Sequence, residues 1–236
     1  MQRWFTGNIQ MHLNLTVCKE KLLIPVFTTK FQLRINKLFE LSLEKKKFAS
    51  RKYLQAETIL LESLGLKDFS PSSEPVNIKS FKESFGASGR LDAEYYQMKY
   101  EQMMTHIQKQ DHSLLKDLVM IQKSIEPGSD VYSEDGMPFL RVADYNKFGL
   151  NEPEKKLSID YCFQNSNLIN GLKPKKGTIL FSKDGSVGNA YLLQKDEELV
   201  TSGAILHLHL KRTNDIVPEY LTLVLNSQVV KMQSER

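Results

Sequence analysis

The stretch GTILFSKDGSVGNAYLL (177–193) sets two glycines, a lysine and two serines between two apolar runs. Loops of that make-up often hold phosphate. A Walker loop requires G-x-x-x-x-G-K-[ST], and KDGSVGNAY lacks the terminal Lys-Ser pair. A dinucleotide fingerprint requires three glycines opening a helix, whereas NAYLL reads as a strand. What remains is a β-hairpin with Asp184-Gly185 as its turn signal. Lys183, Ser186 and Asn189 then carry donors for phosphate oxygens or base edges, the alternative being a purely structural turn.

A second group, FLRVADYNKFG (139–149), places Arg141, Asp144, Tyr145, Asn146 and Lys147 at the end of a predicted strand. Arginine and asparagine are the side chains best shaped for bidentate contact with guanine and adenine edges. An ordinary surface loop with an internal Arg–Asp pair is the other reading. Six residues are therefore candidate DNA contacts: Arg141, Asn146, Lys147, Lys183, Ser186 and Asn189.

Signals for catalysis are absent. There is no G-x-S-x-G elbow, H-E-x-x-H pair or methyltransferase-type catalytic tetrapeptide. Asp196, Glu197 and Glu198 cluster in a polar turn and read as solvated. Cys18 and Cys162 are too few and too distant for a disulfide framework or a zinc site. His207 and His209, at i and i+2 in ILHLHL, share one face of a strand. A solvated face is preferred there over a metal pair. No catalytic residue, metal site or cofactor is expected in this chain.

The elements that must position these groups fall into two kinds. Residues 31–64 contain neither Pro nor Gly and are rich in Leu, Lys and Glu, all good helix formers. Apolar residues recur at Phe31, Ile35 and Leu38, fade through Ser42 and Lys45, and resume at Ala49, Tyr53, Ala56, Leu60 and Leu64. That is a narrow seam of the coiled-coil kind on a helix of roughly 51 Å, ended by Gly65, and it implies a partner helix. Lys45, Lys46, Lys47, Arg51 and Lys52 form a basic stretch on it: a solvated face, or a surface for a phosphate backbone or an acidic partner.

KLLIPVF (21–27) reads as a terminal strand or extended lead-in, and residues 65–90 as a Ser/Pro/Gly-rich linker with a short strand or docking segment at VNIKSF. Residues 91–110 read as a helix that Asp92 can cap, with Tyr96, Met103 and Ile107 at helical spacing. Strands are predicted within 114–125 and at 137–145, 178–182, 189–193 and 203–210. Residues 217–232 read as a helix with Pro218 in its first turn. The fold class is α+β, a mixed-strand domain spanning 91–236 joined to a long coiled-coil-type helix. A net charge of +4 is compatible with a polyanionic partner without requiring one. No apolar run approaches the roughly 18 residues of a membrane span, and the start lacks signal-peptide features. A cytoplasmic protein without a membrane partner is expected.

The order of these parts resembles the specificity (S) subunits of type I restriction-modification enzymes. GRLDAEYYQMKY, EPGSDVYSEDGMPFLRVADY, GTILFSKDGSVGNAYLL and TSGAILHLHL…VPEYLTLVLNS look like the N-terminal and central part of a target-recognition domain (91–236). TGNIQMHLN…LLIPV (within 1–29) and the helix within 30–65 look like the end of such a domain followed by the family's spacer helix, with 66–90 as linker. The resemblance implies a non-catalytic subunit that reads one half of a split site in double-stranded DNA. It also implies docking to an adenine-specific DNA methyltransferase subunit and a restriction (translocase/nuclease) subunit. S-adenosylmethionine, ATP and magnesium would come with those partners.

The S-subunit pattern has two recognition domains and two paired helices, from which this chain departs. It is expected to start within the tail of one domain and stop before the tail of the next. A truncation, a circularly permuted half-subunit and a domain completed by another chain would each explain this. Residues 1–29 are then expected to complete 91–236, in cis or in a homodimer through the long helix. Two rivals stay open: the recognition region of a fused methyltransferase–nuclease, and a protein-interaction module without DNA binding.

Overall fold

Period-two alternation in TILFS and ILHLHL sends successive side chains to opposite faces, and the structure, a computed structural model, buries both faces. It describes residues 5–6, 12–13, 15–74, 76–211 and 216–235. The chain divides into two compact units, Met1–Tyr53 and Leu54–Arg236.

In the first unit, β1 (Phe5–Thr6) pairs antiparallel with β2 (His12–Leu13), followed by α1 (Leu15–Lys21). Much of the expected N-terminal tail, MQRWFTGNIQMHLN, lies outside the described residues. KLLIPVF forms no strand: Lys21 ends α1, and residues 22–28 are irregular. The long helix α2 (Thr29–Ser63) runs through the boundary at Tyr53. On it Phe31, Ile35 and Leu38 are exposed, as are the neighbouring Leu33 and Phe39.

In the second unit the last turns of α2 bury Leu60. Gly65 ends the helix at φ 67°, with Gly65 N–H donating to Glu62 O and Leu66 N–H reaching back to Leu61 O at 2.7 Å. That double bond is a Schellman closure, and Leu66 is buried beside it. The stretch after it contains no strand at VNIKSF. Its polar groups are used elsewhere, with Asn77 Nδ2 donating to Tyr96 O (2.7 Å) and Lys79 pairing with Glu101 (2.7 Å). A short α3 (Phe85–Ser88) follows.

The predicted helix at 91–110 is two pieces, a 3₁₀ turn at Ala93–Tyr96 and α4 (Met98–Gln108). Asp92 makes no capping bond; its carboxylate is held by Arg90 instead. Tyr100 and Met103 of α4 pack with Leu66 in one cluster.

The remaining elements are α5 (Leu115–Leu118), β3 (Val119–Lys123), β4 (Tyr132–Ser133), β5 (Met137–Leu140), β6 (Tyr145–Asn146), β7 (Gly149–Leu150) and β8 (Lys155–Leu157). They continue with α6 (Ile159–Gln164), α7 (Ser166–Leu172), β9 (Ile179–Ser182), β10 (Ala190–Leu192), β11 (Val200–Thr201), β12 (Ile205–Leu210), α8 (Pro218–Asn226) and α9 (Gln228–Glu235). One sheet is antiparallel in the order β10-β9-β12-β3. The other is mixed, β11-β5-β8-β4, with β11 parallel to β5.

Three apolar layers bind these sheets. Ile179, Leu192 and Leu208 pack with Leu221 and Leu225 of α8. Leu180 and Ile205, on the opposite strand faces, pack with Leu140 of the mixed sheet. Phe139, Leu157 and Val200 pack with Ile169 and Leu172 of α7. The class is α+β with a long helix. Among the described residues no helix is long and apolar enough to cross a membrane.

Two predicted elements are broken, each by a polar group. The strand at 137–145 stops at Leu140, because Arg141 and Asp144 close a 3₁₀ turn over Val142–Asp144. The helix at 217–232 breaks at Ser227, which is fully buried with extended dihedrals (φ −75°, ψ 161°). Its hydroxyl donates to Val224 O at 2.6 Å, while its carbonyl accepts the Lys231 N–H and starts α9.

Candidate nucleic-acid interface

The hairpin read from 177–193 is present, with β9 and β10 in register through Phe181↔Ala190, Leu180↔Tyr191 and Ile179↔Leu192. Its turn is held by Ser182, the last residue of the predicted strand 178–182. Ser182 is buried, its Oγ donating to Ser186 O (2.6 Å) and accepting from Asn189 N–H (2.9 Å). Gly188 N–H donates to Ser182 O, closing the turn again. A serine ending an apolar strand looks the same in sequence whether it closes a turn or faces water.

Tyr145 joins the second candidate loop to this turn. It is buried in β6, and its hydroxyl donates to Asn189 O at 3.1 Å. Burial pushes the Tyr145 phenol up from its ordinary pKa, so it stays a neutral donor. Arg141 and Asn146 lie on either side of this anchored region, at the N-cap of the 3₁₀ turn and in β6.

Each predicted contact can now be placed. Arg141 donates its backbone N–H (2.8 Å) and its Nε (3.4 Å) to Asp144 Oδ2, and its guanidinium lies 3.5 Å from Glu154. Asp144 is buried, so the internal Arg–Asp pair exists and shapes the turn. Asn146 is exposed, and its Oδ1 accepts from Phe148 N–H at 2.8 Å. Lys147 sits over the Phe148 ring, 5.4 Å from its centre, in the two-residue loop between β6 and β7. Lys183 pairs with the carboxylate of Asp184, whose hydrogen bond raises the lysine pKa. Ser186 is exposed at the turn, and Asn189 is half-buried with its backbone tied.

Two clefts flank the turn. The first, of about 430 Å³, brings Arg141 together with Asp184, Gly185, Glu126, Tyr132 and Ser202. The second, of about 530 Å³, brings Ser186 and Asn189 together with Lys231 and Ser234 of α9. Asn146 and Lys147 line neither, though Tyr145 beside them is hydrogen-bonded to the turn. The arrangement can offer hydrogen-bond donors from two loops of the second unit that Tyr145 ties together.

The two strand histidines correct the expected solvated face. His207 is 1% exposed and lies between the sheets, its Nε2 2.8 Å from Thr201 Oγ1 of β11. His209 is half-buried, 3.1 Å from Gln122 Oε1. Burial, helped by the neighbouring His209, lowers the His207 pKa to about 4. Sequence alternation gave the shared face, but the covering second sheet comes from distant residues. No group of three or more potential metal ligands occurs among the described residues. The acidic run at 196–198 is ion-paired: Asp196 with Lys175, Glu197 with Lys195 and Glu198 with Lys173.

No protein-family model matches the chain, and no curated protein matches it. Solved structures do. An HsdS subunit from Thermoanaerobacter tengcongensis is similar at 15% identity and a TM-score of 0.40, over 89% of this chain and 44% of that one. A chain from a structure of the type I R-M system is similar at 13% identity and a TM-score of 0.39, over 86% of this chain and 41% of that one. The type I restriction-modification S subunit of M. genitalium is similar at 14% identity and a TM-score of 0.35, over 52% of this chain and 27% of that one. The chain thus spans less than half the length of each structure to which it is similar.

Proposed function

We propose that this chain is a non-catalytic DNA-recognition subunit of a type I restriction-modification complex that reads one half of a split site. The observation that carries the reading is the Tyr145–Asn189 hydrogen bond, which holds the Arg141–Lys147 loop against the Lys183–Asn189 turn. Phosphate contacts fix the position of such a protein on DNA, and base-edge contacts specify the sequence. Arg141, Asn146, Lys147, Lys183, Ser186 and Asn189 are the proposed contacts. The order of parts along the sequence supports the same reading.

The exposed apolar residues Phe31, Ile35 and Leu38 of α2 suit a docking surface for another helix. That helix belongs to a second copy of this chain or to an adenine-specific methyltransferase subunit. Methylation and cleavage then reside in partner subunits, which bring their own cofactors.

Selection of duplexes from a randomised pool by the purified protein tests the recognition claim. Enrichment of one short motif is expected, lost or relaxed at one position in Arg141→Ala. Binding without sequence preference at every salt concentration would overturn it. Co-purification with the methyltransferase subunit, followed by mapping of methylated adenines, tests the assembly.

A further inference from the structure

The cleft between the hairpin turn and α9 holds a cation that the sequence reading did not single out. Lys231 is exposed on α9 and has no ion-pair partner among the described residues. Its stem passes over the turn: a Cβ added at Gly188 would lie 3.6 Å from Lys231 Cγ. Gly188 has φ 87°, so the turn takes there the left-handed bend that favours glycine. The lysine stem thus lies against the turn, and Lys231 lines the cleft beside it.

The neutral donors of the same cleft are uncommitted. Ser186 and Asn189 engage only their backbone groups in hydrogen bonds among the described residues. Both residues line the cleft of about 530 Å³ with Lys231. Ser234, also there, is already engaged, its hydroxyl donating to Val230 O at 2.9 Å. Lys183, by contrast, is neutralised as a pair by Asp184. Glu235 lines the cleft and opposes any anion in it. The aromatic surface that base stacking requires is absent from this lining. One point-charge ammonium with a hydroxyl and an amide is the donor set of a phosphate contact.

We propose that this cleft seats one phosphate of the nucleic-acid backbone, with Lys231 as its cation and Ser186 and Asn189 as its neutral donors. The proposal rests on the nucleic-acid reading above and separates position from specificity within that site. Lys231 holds the backbone, and the Arg141–Lys147 loop is left to meet base edges.

Titrating a labelled mixed-sequence duplex with the full chain over a range of salt concentrations tests it. The proteins compared are wild type, Lys231→Ala, Glu235→Gln and Lys176→Ala. Lys176 carries the same charge at the opposite end of the β9–β10 hairpin, so it controls for net charge alone. Lys231→Ala should weaken binding roughly 3- to 10-fold at low salt and reduce the log–log salt slope by about one, without changing the motif selected from a randomised pool. Glu235→Gln should strengthen binding, and Lys176→Ala should leave slope and affinity near wild type. Because Lys231 is exposed, its thermal unfolding curve should match wild type. An unchanged slope in Lys231→Ala, or an equal loss in Lys176→Ala, overturns the phosphate seat while leaving DNA binding intact. A wild-type protein that binds no duplex at any salt overturns the nucleic-acid reading itself.

Discussion

Single polar side chains hold together the parts of this protein that lie between regular elements. Asn226, buried at the end of α8, accepts from Ala190 N–H (3.0 Å) and donates to Ala190 O (2.8 Å). Asn226→Ala would strand both backbone groups and is expected to cost about 2–4 kcal/mol, read as a lower urea midpoint at unchanged m. His207 gives a pH signature with a definite sign. Its folded pKa, about 4, lies below the ordinary 6.5, so the unfolded chain takes up a proton first as pH falls. The contribution is complete above pH 6.5 and is lost as pH falls towards 4, amounting to about 3 kcal/mol on linkage. In His207→Gln the stability profile between those pH values should flatten, measured by denaturant melts at successive pH. Neither role was legible in sequence. Asn in LNS and His in ILHLHL acquire partners 36 and 6 residues away, respectively, through sheet packing that local spacing does not encode.

Elements follow from the sequence where one local signal suffices, and depart from it where a buried polar residue intervenes. The long helix, its glycine stop and the β9–β10 hairpin follow from periodicity and turn chemistry. The breaks at Leu140 and Ser227 do not, because each depends on hydroxyl or carboxylate bonds made after the backbone has turned. For the candidate site, the two loops and their donors were legible. Their anchoring by Ser182 and Tyr145 was not, since strand propensity is blind to which face receives a partner. Ser182→Ala should therefore cost about 1–2 kcal/mol and speed hydrogen exchange at the Asn189 amide, while the hairpin register persists. On α2, the exposed seam carries a separate expectation. If helix pairing drives self-association, the double substitution Ile35→Glu and Leu38→Glu should lower the mass measured by light scattering. An unchanged dimer mass would place the contact elsewhere.

For the molecule as a whole, the small excess of positive charge, 32 basic against 28 acidic residues, makes steering by net charge weak. On the proposed reading, recognition depends on where the cations stand, and two near the turn, Arg141 and Lys183, are already paired with carboxylates. Binding should consequently show a shallow salt slope, corresponding to few released counterions, in the same titration that examines Lys231. The Asn226 clasp has a further consequence at this scale. β10 is a border strand of the antiparallel sheet, and its backbone would otherwise be a template for an incoming strand from another molecule. By occupying both groups of Ala190, a side chain takes the place of that visitor. Replacing it would open a route to intermolecular cross-β growth, so Asn226→Ala should bind an amyloid dye on standing at concentrations where wild type stays dispersed.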